Sequence, residues 1–194
     1  MKVSKKGEYA LRALIDLGIA AEVGRSLVQV SELSSSGRIP AKFLEQIMQV
    51  LKEAGFVESR RGKWGGYRLA QPARKITIGQ VVRLIDGPLA PIGCVSQTAY
   101  EKCSCPDENH CGLRMLMLDV RNAIASILDR YSLADVVEVT LRKMRRDGVR
   151  LPFAQPAPSA ADRVRRPARA GTAPAGSLHP VEGMIDNLLG DYAI

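Results

Sequence analysis

Apolar positions along this chain recur mostly in steps of three and four, the period of helices that bury one face. Leu11, Leu14, Ile15 and Gly18 mark the packed face of a first helix over residues 7–22, which Gly24 ends. Val30 and Leu33 face inward from a short second helix over about 29–35, with Ser34 to Gly37 expected as the following turn. Pro40 is placed as a first helical position, where its fixed φ and missing N–H do no harm. Phe43, Leu44, Ile47, Val50 and Leu51 then carry a third helix to Ala54, closed by Gly55.

The period changes next. Phe56–Arg60 and Tyr67–Leu69 read as two strands of a hairpin, joined by Arg61-Gly-Lys-Trp-Gly-Gly66, a loop rich in glycine and positive charge. Thr77 is a suitable N-cap for a helix striped by Ile78, Val81, Val82 and Ile85, and Gly87-Pro88 breaks it. A long helix begins near residue 112. Leu113, Met117, Val120, Ile124, Ile127 and Tyr131 alternate in steps of four and three, the seam of a coiled coil. That seam suits a dimer interface, although ordinary packing within the chain would produce the same spacing. Ser132-Leu-Ala-Asp135 resembles a capping box that restarts a final helix to about Arg146.

These elements predict a mainly α fold with a small β-hairpin wing: a winged helix-turn-helix plus a long dimerisation helix. Residues 1–86 form the expected DNA-binding domain, 87–111 a cysteine-containing sensor loop, 112–147 the dimerisation helices, and 148–194 a flexible tail rich in Pro, Ala and Arg. One helix of such a fold fits the major groove while the wing reaches the backbone or minor groove. The reading helix is 40–54, with Gln46, Gln49 and Lys52 on its exposed face. Arg38, Lys42, Arg60, Arg61 and Lys63 are the expected phosphate contacts, although any one of them alone would pass for a solvated surface charge.

Composition supports this picture without deciding it. The 194 residues are 46% hydrophobic and 25% charged, enough for a core, and the net charge of +8 suits a polyanionic partner. Charge by itself does not separate nucleic acid from an anionic membrane surface. The basic start and the apolar run from Ala10 to Ala21 raise the question of a secretory leader, but Arg12 and Asp16 interrupt that run at helical spacing. The expectation is a cytoplasmic protein with no membrane span. No catalytic Ser/His/Asp set or nucleotide loop is recognisable, which argues against an enzyme.

The four cysteines, Cys94, Cys103, Cys105 and Cys111, lie within eighteen residues and none occurs elsewhere. In a reducing compartment such a cluster points to metal binding or redox sensing rather than a disulfide framework. Zinc sites usually present paired knuckles, and the second knuckle is missing here. Cys94, Cys105 and Cys111 are spaced as a bridging cluster would need, while Cys103 is either a spare thiol or an alternative ligand. Thiols with no metal at all, or an iron–sulfur electron carrier, are the competing readings.

Together these segments resemble the Rrf-two family of bacterial regulators over about residues 1–147. The resemblance rests on Glu8-Tyr-Ala-Leu-Arg12, Ile39-Pro-Ala-Lys-Phe-Leu-Glu-Gln-Ile47, Leu51-Lys-Glu-Ala-Gly-Phe-Val57, Arg61-Gly-Lys-Trp-Gly-Gly-Tyr-Arg-Leu-Ala70, Ile85-Asp-Gly-Pro-Leu-Ala-Pro91 and Leu133-Ala-Asp135. It implies a homodimer on palindromic double-stranded promoter DNA. It also implies an iron–sulfur cluster, 2Fe–2S or 4Fe–4S, on Cys94, Cys105 and Cys111, although some members carry none. Where some members place a histidine ligand three residues after the last cysteine, this chain has Arg114. Others use an acid in the partner subunit's first helix, a position held here by Glu8; His110 adjoins Cys111 too closely for easy joint ligation. The implied function is a repressor gated by redox state, nitric oxide or iron, with a cluster-free, thiol- or partner-responsive regulator as the alternative.

Overall fold

The computed structural model describes residues 2–62 and 64–154. Helices α1 (Lys5–Glu22), α2 (Val30–Gly37) and α3 (Ala41–Glu53) lead into strands β1 (Val57–Arg60) and β2 (Gly66–Leu69), followed by α4 (Ile78–Asp86), α5 (Gly112–Arg130) and α6 (Leu133–Arg146). The strands pair antiparallel, with Val57 opposite Leu69 and Arg60 opposite Gly66. Among the described residues no helix is long and apolar enough to cross a membrane.

Helix α1 is the axis of the fold, packing against α2, α3, α4, α6 and β2. Its Ala10, Ala13, Leu14, Leu17 and Ala20 are buried with Leu33 of α2, Leu44, Ile47, Met48 and Leu51 of α3, and Val81 of α4. Small residues permit the close approaches. A Cβ on Gly18 would lie 2.5 Å from Cγ2 of Val137, so α6 crosses α1 where α1 has no side chain. Caps fix the starts: the Ser4 hydroxyl accepts from the Gly7 N–H at 3.0 Å, and Thr77 with Gln80, and Ser132 with Asp135, form reciprocal capping boxes.

Four expectations need correction. The serines after Leu33 do not form a turn; α2 continues through Gly37, and the chain reverses at Arg38, which is left-handed at φ 49° and ψ 47°. Pro40 sits one residue outside α3 as its N-cap rather than as its first residue. Helix α6 belongs to the core rather than to a separate dimerisation unit, because Leu133, Val137 and Leu141 are buried in the cluster that α1 organises. Residues 2–62 and 64–154 accordingly lie in one compact unit. Lastly, the segment expected to open a flexible tail is packed as far as Phe153, since Leu151 and Phe153 lie against that core. The remainder of the expected tail, 155–194, falls outside the described residues.

Helix α5 is different. None of its residues is buried, and Leu113, Met115, Leu116, Val120 and Ile127 are exposed. The seam expected from sequence is thus rotated: Met117, Ile124 and Tyr131 are half-buried against the chain itself, and Leu116 takes their place on the open stripe. The helix is anchored at its C-terminal end. Arg83 of α4 grips Asp129 with two hydrogen bonds of 2.6 and 2.7 Å. Backbone bonds from Ile78 N–H to the Tyr131 carbonyl (3.0 Å) and from Leu133 N–H to the Ile76 carbonyl (2.7 Å) fasten the α5–α6 junction beside the start of α4.

Candidate nucleic-acid interface and cysteine loop

Helix α3 is sharply divided between two environments. Leu44, Ile47, Met48 and Leu51 are buried, and Tyr9 of α1 meets Phe43 edge-on with ring centroids 5.8 Å apart. These contacts fix both the axis and the rotation of the helix. Met48 is a buried residue that the sequence stripe left out. The opposite face presents Lys42, Gln46, Gln49 and Lys52 to solvent, as expected of a reading helix. Gln49 is not idle: its Nε2 donates to Glu53 Oε1 at 2.7 Å, so it must exchange that bond to reach a base. The turn before α3 is held by the Ser34 hydroxyl, which donates to the Ile39 carbonyl at 2.6 Å, and it places Arg38 in the open.

At the wing, β2 also bridges Val28 on its outer side, with Tyr67 N–H donating to the Val28 carbonyl at 2.8 Å. That bridge requires glycine beside it, since a Cβ on Gly66 would fall 2.6 Å from the Val28 carbonyl oxygen. Across the hairpin Arg68 pairs with Glu58. Arg60 and Arg61 project outward without an ion-pair partner among the described residues. Lys63 lies outside the described residues. Sequence reasoning treated Trp64 only as part of the loop, yet it is 83% exposed at the wing tip. An indole in that position leaves a large apolar surface in water.

The cysteine loop leaves α4 and ends at Cys111, whose Sγ caps α5 by accepting from the Arg114 N–H at 3.4 Å. Cys105 Sγ lies 3.9 Å from Cys111 Sγ. On its other side Cys105 is joined to Cys103 as a disulfide, and its backbone N–H donates to Cys103 Sγ at 3.1 Å. Cys94 is a buried free thiol in a short 3₁₀ turn, Gly93–Val95. Arg114 ties the two ends of the loop together: its Nε donates to the Cys94 carbonyl at 3.3 Å and lies 3.1 Å from Glu108, which accepts from the Tyr100 hydroxyl. That bond with Glu108 raises the Tyr100 pKa above its ordinary value. Arg121 adds a second tie, donating to the Val95 carbonyl at 2.8 Å.

Glu8 sits near the start of α1 with Lys5 at 2.8 Å and Arg12 in contact. The hydrogen bond from Lys5 lowers its pKa below the ordinary value. His110 is exposed and bound to Asp107 at 2.5 Å, within its own turn. Among the described residues no three His, Cys, Asp or Glu side chains converge as a finished metal site. Two thiolates on one tetrahedral metal with bonds of about 2.3 Å would stand roughly 3.8 Å apart. The sulfurs of Cys105 and Cys111 have that separation, and with the Cys103–Cys105 bond reduced their thiolates would be soft donors suited to iron.

A helix presented over a buried apolar face, with a basic hairpin beside it and an unpaired apolar rod behind, defines a winged helix-turn-helix regulator of transcription. Comparison with known proteins then gives the lineage. Residues 3–139 match the model of Rrf2, described as an iron-dependent transcriptional regulator. An Rrf2-like HTH-type regulator from Rhodobacter capsulatus is 37% identical over 139 residues, covering 70% of this chain and 91% of its own. The HTH-type regulator IscR of Aliivibrio salmonicida is 32% identical over 137 residues, 71% of this chain and 77% of that one. Among solved structures, CymR, the global cysteine regulator of Bacillus subtilis, superposes with a TM-score of 0.60 at 28% identity, over 72% of this chain and 98% of its own. The chain belongs to the Rrf2 family, whose members are transcriptional regulators and not enzymes.

Proposed function

We propose that the protein is a homodimeric, cytoplasmic repressor that binds a palindromic promoter site and whose DNA affinity is gated by an iron–sulfur cluster. The observation that carries the gating is the 3.9 Å pair of Cys105 and Cys111 at the N-terminus of a helix with no buried residue. In this reading α5 finds its missing cover in the α5 of a second copy, through Leu113, Leu116, Val120 and Ile127. Arg38, Lys42, Arg60, Arg61 and Lys63 hold phosphates, Gln46 and Gln49 face bases, and Trp64 packs at the groove edge beside the wing.

Cys94, Cys105 and Cys111 would hold the cluster, with Glu8 of the other copy as its fourth ligand. Bound there, the cluster supplies a cross-link that oxidants, nitric oxide or iron loss can remove. Arg114, joined to both Cys94 and Glu108, keeps the loop against the start of α5. The loop therefore sets how α5 meets its partner, and so the spacing of the two reading helices.

Anaerobic reconstitution with iron and sulfide tests the reading. A coloured protein whose affinity for a promoter duplex changes on cluster removal is expected. A colourless protein without bound iron or labile sulfide overturns it. A cluster-free thiol regulator is the second reading, favoured by the Cys103–Cys105 pairing.

A further inference from the structure

Cys105 stands between two sulfurs. On one side is Cys111 at 3.9 Å; on the other is Cys103, bonded to it within a Cys-Ser-Cys turn. All three side chains are partly open to solvent, whereas Cys94 is buried. Cys103 has no place in the ligand set of Cys94, Cys105 and Cys111, and two cysteines so close in sequence are poorly placed to bind one metal together. They are well placed to bind each other.

We propose that Cys103 is a resolving thiol: when Cys105 is free of metal, a hydroperoxide oxidises Cys105 and Cys103 captures it as an intraloop disulfide, protecting the ligand from irreversible oxidation. The sulfur of Cys105 attacks the peroxide O–O bond, giving Cys105 sulfenic acid and releasing an alcohol, or water when the oxidant is hydrogen peroxide. The Cys103 thiolate then attacks the Cys105 sulfur, the S–O bond breaks, and the departing hydroxide takes up the Cys103 proton as water. Two thiols lose two electrons and the peroxide gains them. A dithiol reductant reverses the step by exchange, restoring Cys105 as a free thiol beside Cys111. The turn favours this outcome kinetically, because the chain holds Cys103 two residues from Cys105 and only a very short loop has to close.

The pairing removes one ligand while leaving the other two untouched. A site that has lost its metal to oxidant is thus parked in a reducible state that cannot reload until thiols are restored. The metal-binding part of this statement rests on the cluster reading above; the disulfide chemistry does not.

The chain offers a direct assay. Trypsin cleavage after Lys102 and Arg114 yields one peptide, 103–114, holding Cys103, Cys105 and Cys111, while Cys94 falls in the preceding peptide, 84–102. Metal-free protein treated with an equivalent of alkyl hydroperoxide, alkylated and digested, is expected to give a 103–114 peptide that has lost two hydrogens and is alkylated only at Cys111. A main product linking Cys105 to Cys111 or to Cys94, or sulfinic acid at Cys105, overturns the proposal. Cys103→Ser is expected to accumulate sulfinic acid at Cys105 when given two or more equivalents of the same hydroperoxide, and yet to take up iron and sulfide normally before it. Loss of iron uptake in that untreated variant would make Cys103 a ligand and also overturn the proposal. A wild-type protein that forms the disulfide but never takes up iron would refute the cluster reading and leave this inference standing.

Discussion

Arg38 occupies a backbone conformation that side-chain-bearing residues avoid, at φ 49° and ψ 47°, where the chain turns from α2 to α3. Replacing it with glycine separates conformational strain from electrostatics. A left-handed residue with a Cβ costs about 1–2 kcal/mol, while glycine loses roughly 0.5–1 kcal/mol more in chain entropy on folding. The net expectation for Arg38→Gly is a fold more stable by roughly 0.5–1 kcal/mol, or about 1–4 °C in Tm for a domain of this size. DNA binding is expected to move the other way. Each lost phosphate contact lowers the slope of log K against log salt by about 0.9, so a dimer losing two would lose close to two units. Thermal unfolding and fluorescence anisotropy across a salt series measure the two effects, and Arg38→Lys is the control that keeps charge and strain. A lower Tm in Arg38→Gly would show that the side chain supports the turn; an unchanged salt slope would remove Arg38 from the interface.

Trp64→Ala is expected to leave Tm unchanged, because the ring is 83% exposed, while weakening operator binding several-fold in an anisotropy titration; equal affinity would make the ring a bystander. Asp16 has a buried carboxylate oxygen without a hydrogen-bond partner among the described residues, and burial raises its pKa above the ordinary 3.8 while Ser36 opposes the shift. Stability therefore falls as pH rises from 3.8 through that raised value and stays lower above it. Asp16→Asn should be more stable than the parent at neutral pH, by on the order of 1 kcal/mol, with the gap closing toward pH 3; urea unfolding at several pH values reads the trend. Gly18→Ala forces a Cβ to 2.5 Å from Val137 and is expected to cost about 1–3 kcal/mol in urea unfolding, relieved in part by Val137→Ala. Leu116→Glu, on the open stripe of α5, should give a folded monomer in light scattering; a persistent dimer would place the interface elsewhere.

The helices with strong apolar stripes and explicit caps were legible from sequence, because Thr77, Ser132 with Asp135, and Gly55 act through local bonds. The reversal after α2 was misplaced for an instructive reason. Glycine is the usual left-handed residue, yet Gly37 is helical and Arg38 makes the turn, held by the backbone bond from Ile39 N–H to the Ser34 carbonyl at 3.0 Å. The register of α5 was ambiguous for a different reason. Residues 113, 117, 120, 124 and 113, 116, 120 both satisfy steps of three and four, and only packing against the chain decides which stripe stays open. The place of α6 in the core depends on contacts with α1 far back in sequence, which no periodicity reports. The basic charge of the wing and the clustering of the four cysteines could be read from the sequence, but not the pairing of Cys105 with both neighbours, since a loop has no period to read.

The position of α6 has a consequence for how the protein is made. Leu133, Val137 and Leu141 are part of the same core as α1, so the DNA-reading head cannot close until the ribosome has released the last of them. By then α5 has already emerged, with Leu113, Leu116, Val120 and Ile127 uncovered. On the proposed mode of dimerisation, the order of synthesis would bring out the α5 stripe before the head is complete, so nascent neighbours would meet through it while their heads are still open. A message truncated just before Ser132 would yield a chain that carries the sticky rod and lacks the helix that seals the head.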